Sequence, residues 1–305
     1  MIYVIFTEQV MKCKICGAKA EVRLKSHNIA LCREHFLQFF RRRVERTIRK
    51  FKMFTKDARI LVAVSGGKDS MGLLHLLNSL GYNVTGYHIN LGIPEYSDIS
   101  VDKVKKFHEM TGIPVIIESV VDELGLGIHE VAQKVHRPIC SICGMVKRYM
   151  INRAAQKFDV VATGHNLDDE VATLFGNLLN WQSDYLARQY PVLPAADGFT
   201  KKVKPYVLVS EYESAIYTFF VDIDYVMIEC PYSKHATSIF YKNIFNEIED
   251  RMPGTKLRFL KGFYELRDIF PSTTREKLAP CEKCGYPTTA GVCSFCRLKD
   301  KLHHA

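Results

Sequence analysis

Ser65-Gly66-Gly67-Lys68-Asp69-Ser70 joins an apolar run to a helical pattern, and its residue types suit an anion. Two glycines let backbone N–H groups approach a phosphate with no Cβ in the way. The helix start behind them adds positive potential. Lys68 offers a point charge, and Ser65 and Ser70 offer hydroxyl donors. The loop is not a Walker A motif, because Val62 stands where its first glycine belongs and Asp69 where Ser or Thr follows the lysine. A second candidate is Thr163-Gly164-His165-Asn166-Leu167-Asp168-Asp169-Glu170. Adjacent carboxylates at a strand end suit Mg²⁺ bound to phosphate oxygens. The competing reading is that Asp168 caps the next helix.

Cysteine spacing gives three further sites. Cys13-x2-Cys16-x15-Cys32-x2-His35 and Cys281-x2-Cys284-x8-Cys293-x2-Cys296 fit closed tetrahedral zinc. Closed sites are structural, and metal binding drives the folding of such short segments. Cys140 and Cys143 stand in PICSIC, and their remaining partner is Cys230 in IECPYS. Spacing leaves several readings open there. One is a redox pair carrying sulfur as persulfide and disulfide. Another is a [4Fe–4S] cluster on three thiolates with one iron open. Zinc would need a fourth ligand. Lys147 lies four residues after Cys143 and shares its face on a helix.

The background composition is that of a folded soluble protein. The chain has 305 residues, 47% apolar and 25% charged, which excludes disorder or coiled coil as a whole-chain description. No stretch approaches the roughly 18 apolar residues of a membrane span. The opening MIYVIF has no basic flank before it and is too short for a signal peptide, so a cytoplasmic location is expected. The net charge of +9 suits a polyanionic partner such as nucleic acid. Residues 36–52 concentrate that charge. Phe36, Phe40, Val44, Ile48 and Phe51 form one helical stripe, while Arg41, Arg42, Arg43, Arg46, Arg49, Lys50 and Lys52 face a single acid, Glu45. That excess predicts contact with a phosphate backbone.

These groups need a scaffold. Strands are expected at 59–64, 83–89, 114–119 and 159–164, with helices near 71–80, 98–111, 141–157 and 168–179. Such alternation predicts a doubly wound parallel sheet, with ligands beyond the carboxyl ends of its strands. A further strand is expected at 223–229, before Cys230. The expected organisation is a zinc finger at 1–35, a basic linker helix at 36–54, a nucleotide domain at 55–275 and a second finger at 276–305.

SGGKDS after a buried strand resembles the pyrophosphate loop of the N-type ATP pyrophosphatases, a HUP-like fold that splits ATP between its α and β phosphates. PICSICGMVKRYMINRAA is similar to the active-site helix of the tRNA 2-thiouridine synthases. The order of finger, basic helix, loop domain and second finger, with CGYPTTAGVCSFC and GHNLDDEVATLFGNLLN, resembles the tRNA-5-methyluridine (position 54) 2-sulfurtransferases. The wobble-uridine thiolation enzymes share this architecture. The resemblance implies adenylation of a uridine C2 oxygen, then displacement of AMP by sulfur. It implies a [4Fe–4S] cluster on Cys140, Cys143 and Cys230, two zinc ions, Mg²⁺ and ATP as substrate. It implies that Ala63, Val64, Ser65, Gly66, Gly67, Lys68, Asp69, Ser70, His88, Ile89, Lys147, Gly164, His165 and Asp169 hold ATP. Cys140, Cys143, Cys230, Lys147, Asp69 and Asp169 would carry the chemistry. The implied partners are tRNA, met through Arg41, Arg42, Arg43, Arg46, Arg49 and Lys50, and a ubiquitin-like sulfur carrier with a C-terminal thiocarboxylate. A homodimer is also expected, and an exposed Phe-rich helix would permit one.

Overall fold

The computed structural model describes residues 11–233, 237–270 and 277–304. The opening MIYVIF and the 275/276 boundary lie outside them. A small antiparallel hairpin, β1 (Val22–Leu24) and β2 (Ile29–Leu31), precedes α1 (Arg33–Lys50). Alternation follows: β3 (Arg59–Val64), α2 (Lys68–Ser79), β4 (Asn83–Asn90), α3 (Tyr96–Thr111), β5 (Val115–Ser119), α4 (Val120–Leu124), α5 (Ile128–Lys134), α6 (Ile139–Ala155), β6 (Val160–Thr163) and α7 (Leu167–Leu179). Then come α8 (Ser183–Arg188), β7 (Val192–Leu193), β8 (Lys201–Val203), α9 (Glu211–Phe220), α10 (Thr237–Arg251) and α11 (Thr255–Leu266). The tail holds β9 (Ala279–Pro280), β10 (Pro287–Thr288) and α12 (Ser294–His304).

The main sheet has the order β5-β4-β3-β6-β8-β7, parallel except where β7 meets β8. Its central strand is apolar from Ile60 to Val64 because both its faces are covered there. Ile60, Val62 and Val64 turn to one core, shared with α1, α2, α7 and α9. Leu61 turns to the other, shared with α5, α6 and α12. The two cysteine modules divide between these cores. Cys13, Val22 and Leu24 join the first, whereas Cys281, Cys293 and Cys296 join the second. Tyr149 of α6 stacks on Phe295 of α12 with ring centres 3.8 Å apart.

Strand ends and caps place the site. Val64 pairs with His88 and Ala63 with Thr163, so both motifs emerge at one edge. Helix α7 starts with a reciprocal cap, in which Asn166 Oδ1 accepts from Asp169 N at 3.1 Å and Asp169 Oδ2 accepts from Asn166 N at 3.0 Å. Asp168 is therefore not the cap. Ser210 and Glu213 make the same device at α9.

Two expectations fail. No strand forms at 223–229: Val226 N donates to Gly66 O at 2.9 Å, so this segment lies along the phosphate loop rather than in a ladder. The Phe-rich face of α1 is not free for a second chain. Phe36 and Phe40 are buried in the first core, each contributing roughly 1.5–3 kcal/mol. Among the described residues, no helix is long and apolar enough to cross a membrane.

Candidate active site

The loop between β3 and α2 is shaped by its small residues. Gly66 has φ +85°, and a Cβ there would stand 2.7 Å from Ser100 Oγ. Ser70 is buried and closes the turn: its Oγ donates to Gly67 O at 3.0 Å and accepts from Ser65 N at 3.1 Å. Ser100 Oγ donates to Ser65 O at 3.0 Å, tying α3 to the loop. Helix α2 begins at Lys68 with Gly67 as its extended N-cap, so the motif itself supplies the helix start expected near 71. Gly164 presses on this turn from β6.

Ala63, Val64, Ser65, His88, Ile89 and Lys147 line one cavity of about 120 Å³ at this strand edge, together with Tyr96 and Ser100. Gly164 and His165 lie outside that lining, and His165 is exposed with Nδ1 3.1 Å from Thr163 Oγ1. His88 is buried, with Nδ1 2.9 Å from Val64 O. Burial depresses the basicity of its ring, Val64 O opposes that, and the charge of Lys147 adds to it.

Cys143 and Cys230 neighbour this cavity through its lining residues Lys147 and Tyr96, and Cys140 lies near Cys143. Burial raises the Cys143 thiol, the charge and hydrogen bond of Lys147 counter it, and Cys230 and Cys140 raise it further. The Tyr96 hydroxyl is raised by burial and then by the charges of Cys230 and Cys143. Lys147 and Tyr96 thus belong to both the cavity and the thiols. Cys140 Sγ lies 3.6 Å from Tyr232 O. The three sulfurs do not form a set as tight as the two finger sets, whose ligand atoms all lie within 4.8 Å of one another. A single ion therefore does not fit the trio as found.

The fingers fit single ions. Cys16 and Cys32 sulfurs are 3.9 Å apart, and Cys284 and Cys293 sulfurs 3.7 Å. A tetrahedron with 2.3 Å zinc–sulfur bonds has edges of about 3.8 Å. His35 Nδ1 lies 3.2 Å from Cys32 Sγ. Burial opposes ionisation of Cys13, but backbone N–H groups of Cys16, Cys32 and Ile15 bring it down to about 6. Backbone N–H groups likewise lower Cys281 to about 6.

An ion network flanks the loop. Lys68 Nζ lies 3.0 Å from Asp69 Oδ2 and 2.7 Å from Glu211 Oε1. Lys242 Nζ lies 3.1 Å from Glu211 Oε2 and 2.6 Å from Asp169 Oδ1. Burial raises the Asp69 carboxyl and the charge of Lys68 opposes this, while Asp69 Oδ1 is buried without a hydrogen-bond partner among the described residues. That orphaned oxygen fits a Mg²⁺ ligand. Both oxygens of Asp169 are engaged, by the α7 cap and by Lys242. Asp168 turns away, bonded to Lys256 Nζ at 2.5 Å and Glu211 N at 2.8 Å. Sequence reasoning missed Glu211 and Lys242, which stand on distant helices; the S-x-x-E signature at Ser210 was the one available signal.

The basic face of α1 is smaller than expected. Arg41, Arg42, Arg46, Arg49 and Lys50 are exposed. Arg43 is not, because it is ion-paired with the buried Glu213 and donates to Leu208 O. Lys261 of α11 joins this face: burial and the nearby charge of Lys50 depress its basicity.

This loop, with its strand and helix, defines a nucleotide-binding α/β protein of the PP-loop class, and the PP-loop domain family matches residues 38–184. The family described as 2-thiouridine synthetase TtuA, N-terminal LIM domain, matches residues 12–37. The chain belongs to the tRNA-5-methyluridine(54) 2-sulfurtransferases, within the PP-loop ATP pyrophosphatases. It is 48% identical over 296 residues to the enzyme of that name from Thermus thermophilus, covering 96% of this chain and 92% of the relative. Identity to the Pyrococcus horikoshii enzyme is 44% over 290 residues, covering 94% and 93%. The solved structure of the U34-tRNA thiolase NcsA from Methanococcus maripaludis with its [4Fe-4S] cluster is similar with a TM-score of 0.81, at 28% identity over 96% of each chain.

Proposed function

We propose that this chain thiolates C2 of a tRNA uridine, 5-methyluridine at position 54, after activating the base with ATP. One observation carries the reading: Lys147 and Tyr96 line the cavity at the phosphate loop and also neighbour two of the three thiols, Cys143 and Cys230. Activation and sulfur delivery then occur in one continuous space. The uridine O2 attacks the α phosphorus, and pyrophosphate leaves. A sulfur nucleophile next attacks C2, and AMP leaves with the former O2.

In this reading Gly66, Gly67 and Lys68 bind the departing pyrophosphate, while Ser65 and Ser70 hold the loop closed. Ala63, Val64, His88 and Ile89 wall the cavity for the nucleoside. Asp69 Oδ1 takes the divalent ion that accompanies ATP. Lys147 keeps positive charge between the nucleotide and Cys143. Cys140, Cys143 and Cys230 would hold a [4Fe–4S] cluster, which supplies an open iron for a sulfur-bearing ligand. The sulfur source fits a carrier protein ending in a thiocarboxylate. Arg41, Arg42, Arg46, Arg49 and Lys50 face tRNA phosphates, and the two fingers are zinc-closed.

Greater identity to the position-54 enzymes than to the U34 thiolase favours position 54 over the wobble position. Nucleoside mass spectrometry on tRNA treated with reconstituted enzyme, ATP and sulfide tests it. The expected result is 2-thio-5-methyluridine from position 54 with one pyrophosphate released per thiolation. Thiolation at position 34 alone would refute the assignment, and no pyrophosphate would refute the ATP step.

A further inference from the structure

Five side chains alternate in charge across the mouth of the loop: Asp69, Lys68, Glu211, Lys242, Asp169. Both ammonium groups are thus occupied by carboxylates before a triphosphate arrives. One carboxylate has to yield. Asp169 is fixed by the helix cap and Asp69 sits on the loop itself. Glu211 is the most exposed of the three at 39%, and it alone stands between the two ammonium groups. Its oxygens meet Lys68 at 2.7 Å and Lys242 at 3.1 Å, as two oxygens of one phosphate group could.

Resting on the phosphate-loop reading above, we propose that Lys242 is a second cationic contact for the pyrophosphate half of the nucleotide, with Glu211 occupying that place until phosphate displaces it. Lys242 is set on a firm wall. Phe175 of α7 meets Tyr241 and Phe245 of α10 edge to face, each with ring centres 5.3 Å apart. Gly176 lets the Tyr241 ring lie against α7, where a Cβ would come within 2.9 Å of it. This packing anchors the turn of α10 that carries Lys242, whose side chain is 25% exposed. Two ammonium groups on a leaving pyrophosphate stabilise charge that develops as the α–β bond breaks. Glu211 keeps both ammonium groups in position beforehand, so little reorganisation is needed.

The test uses the full-length protein and inorganic pyrophosphate as calorimetric probe, alongside tRNA-dependent pyrophosphate release. Lys242→Met should weaken pyrophosphate binding about tenfold or more and slow release about 100-fold. Lys242→Arg should restore most of both. Glu211→Gln should tighten pyrophosphate binding, because the competing charge is gone. Should Lys242→Met fold poorly, Lys242→Met with Asp169→Asn removes the ion pair together and carries the same expectation for pyrophosphate. Unchanged binding in Lys242→Met, with binding lost in Lys68→Met, would overturn the role of Lys242 and leave the loop intact. Unchanged binding in both would remove the phosphate-loop reading itself.

Discussion

Gly164 lies against the backbone of Ser70: a Cβ on Gly164 would stand 2.9 Å from both Ser70 N and Ser70 Cα. The end of β6 thus touches the first turn of α2, and backbone cannot move aside as a side-chain tip can. Gly164→Ala should push the loop away from β6 and cost about 1–3 kcal/mol, the usual range for overpacking. The ATP KM should rise more than stability alone explains. Hydrogen exchange at Ser65–Ser70 would report the displacement directly; protection equal to wild type would show that the contact is slack.

Arg43 and its neighbours on α1 should separate in their effects. Arg43→Ala strands the buried Glu213 carboxylate and should cost about 3–5 kcal/mol. Arg42→Glu with Arg46→Glu should leave the melting temperature close to wild type, since both side chains are exposed. The double variant should bind tRNA more weakly and with a shallower dependence on salt. An unchanged slope of log K against log salt would take α1 out of the tRNA interface.

Glu213 also gives a pH signature. Burial alone would raise its carboxyl, but the charge of Arg43 and the hydrogen bond and charge of His27 hold it below the ordinary value. A depressed carboxyl contributes stability above its unfolded pKa of about 4.3 and loses it as pH falls through the folded value. Glu213→Gln should therefore unfold at lower denaturant than wild type near neutrality. The gap should close as pH drops below about 4. A gap constant from pH 7 to pH 3 would mean that the ion pair contributes nothing net.

What the sequence made legible was local. The β3 strand and the loop read correctly because a doubly covered strand is apolar where it is covered, here Ile60 to Val64, and a glycine turn follows it. The eight finger residues come together in two sets of four as their paired spacing predicts. Arg43 misled because its helical position matches that of a solvent-facing arginine, and only a carboxylate 170 residues away draws it inward. The run at 223–229 misled because apolar content does not reveal whether a ladder partner is free; Val226 spends its N–H on Gly66. Lys242 left no motif and Glu211 only the S-x-x-E start of its helix, since helix packing brings them to the loop.

The two fingers should differ in what their metal protects. The first shares its core with α1 and α9, near Arg33, whose guanidinium donates to Phe220 O. The second shares its core with α6, the helix that carries Cys140, Cys143 and Lys147, through the Tyr149–Phe295 stack and the 2.7 Å bond from Asn152 Nδ2 to Tyr286 Oη. On the proposal that the second finger holds zinc, losing the ion should loosen the helix that carries Cys140 and Cys143. Cys293→Ser should halve the zinc content of the chain and also lower iron retained after reconstitution, well below the roughly four expected for a cubane. Cys16→Ser should halve zinc while leaving iron close to wild type. Metal analysis of both variants beside the parent decides this. Equal iron in the two would mean that α6 keeps its place without the second finger, and that the stack on Tyr149 plays no part in holding the thiols.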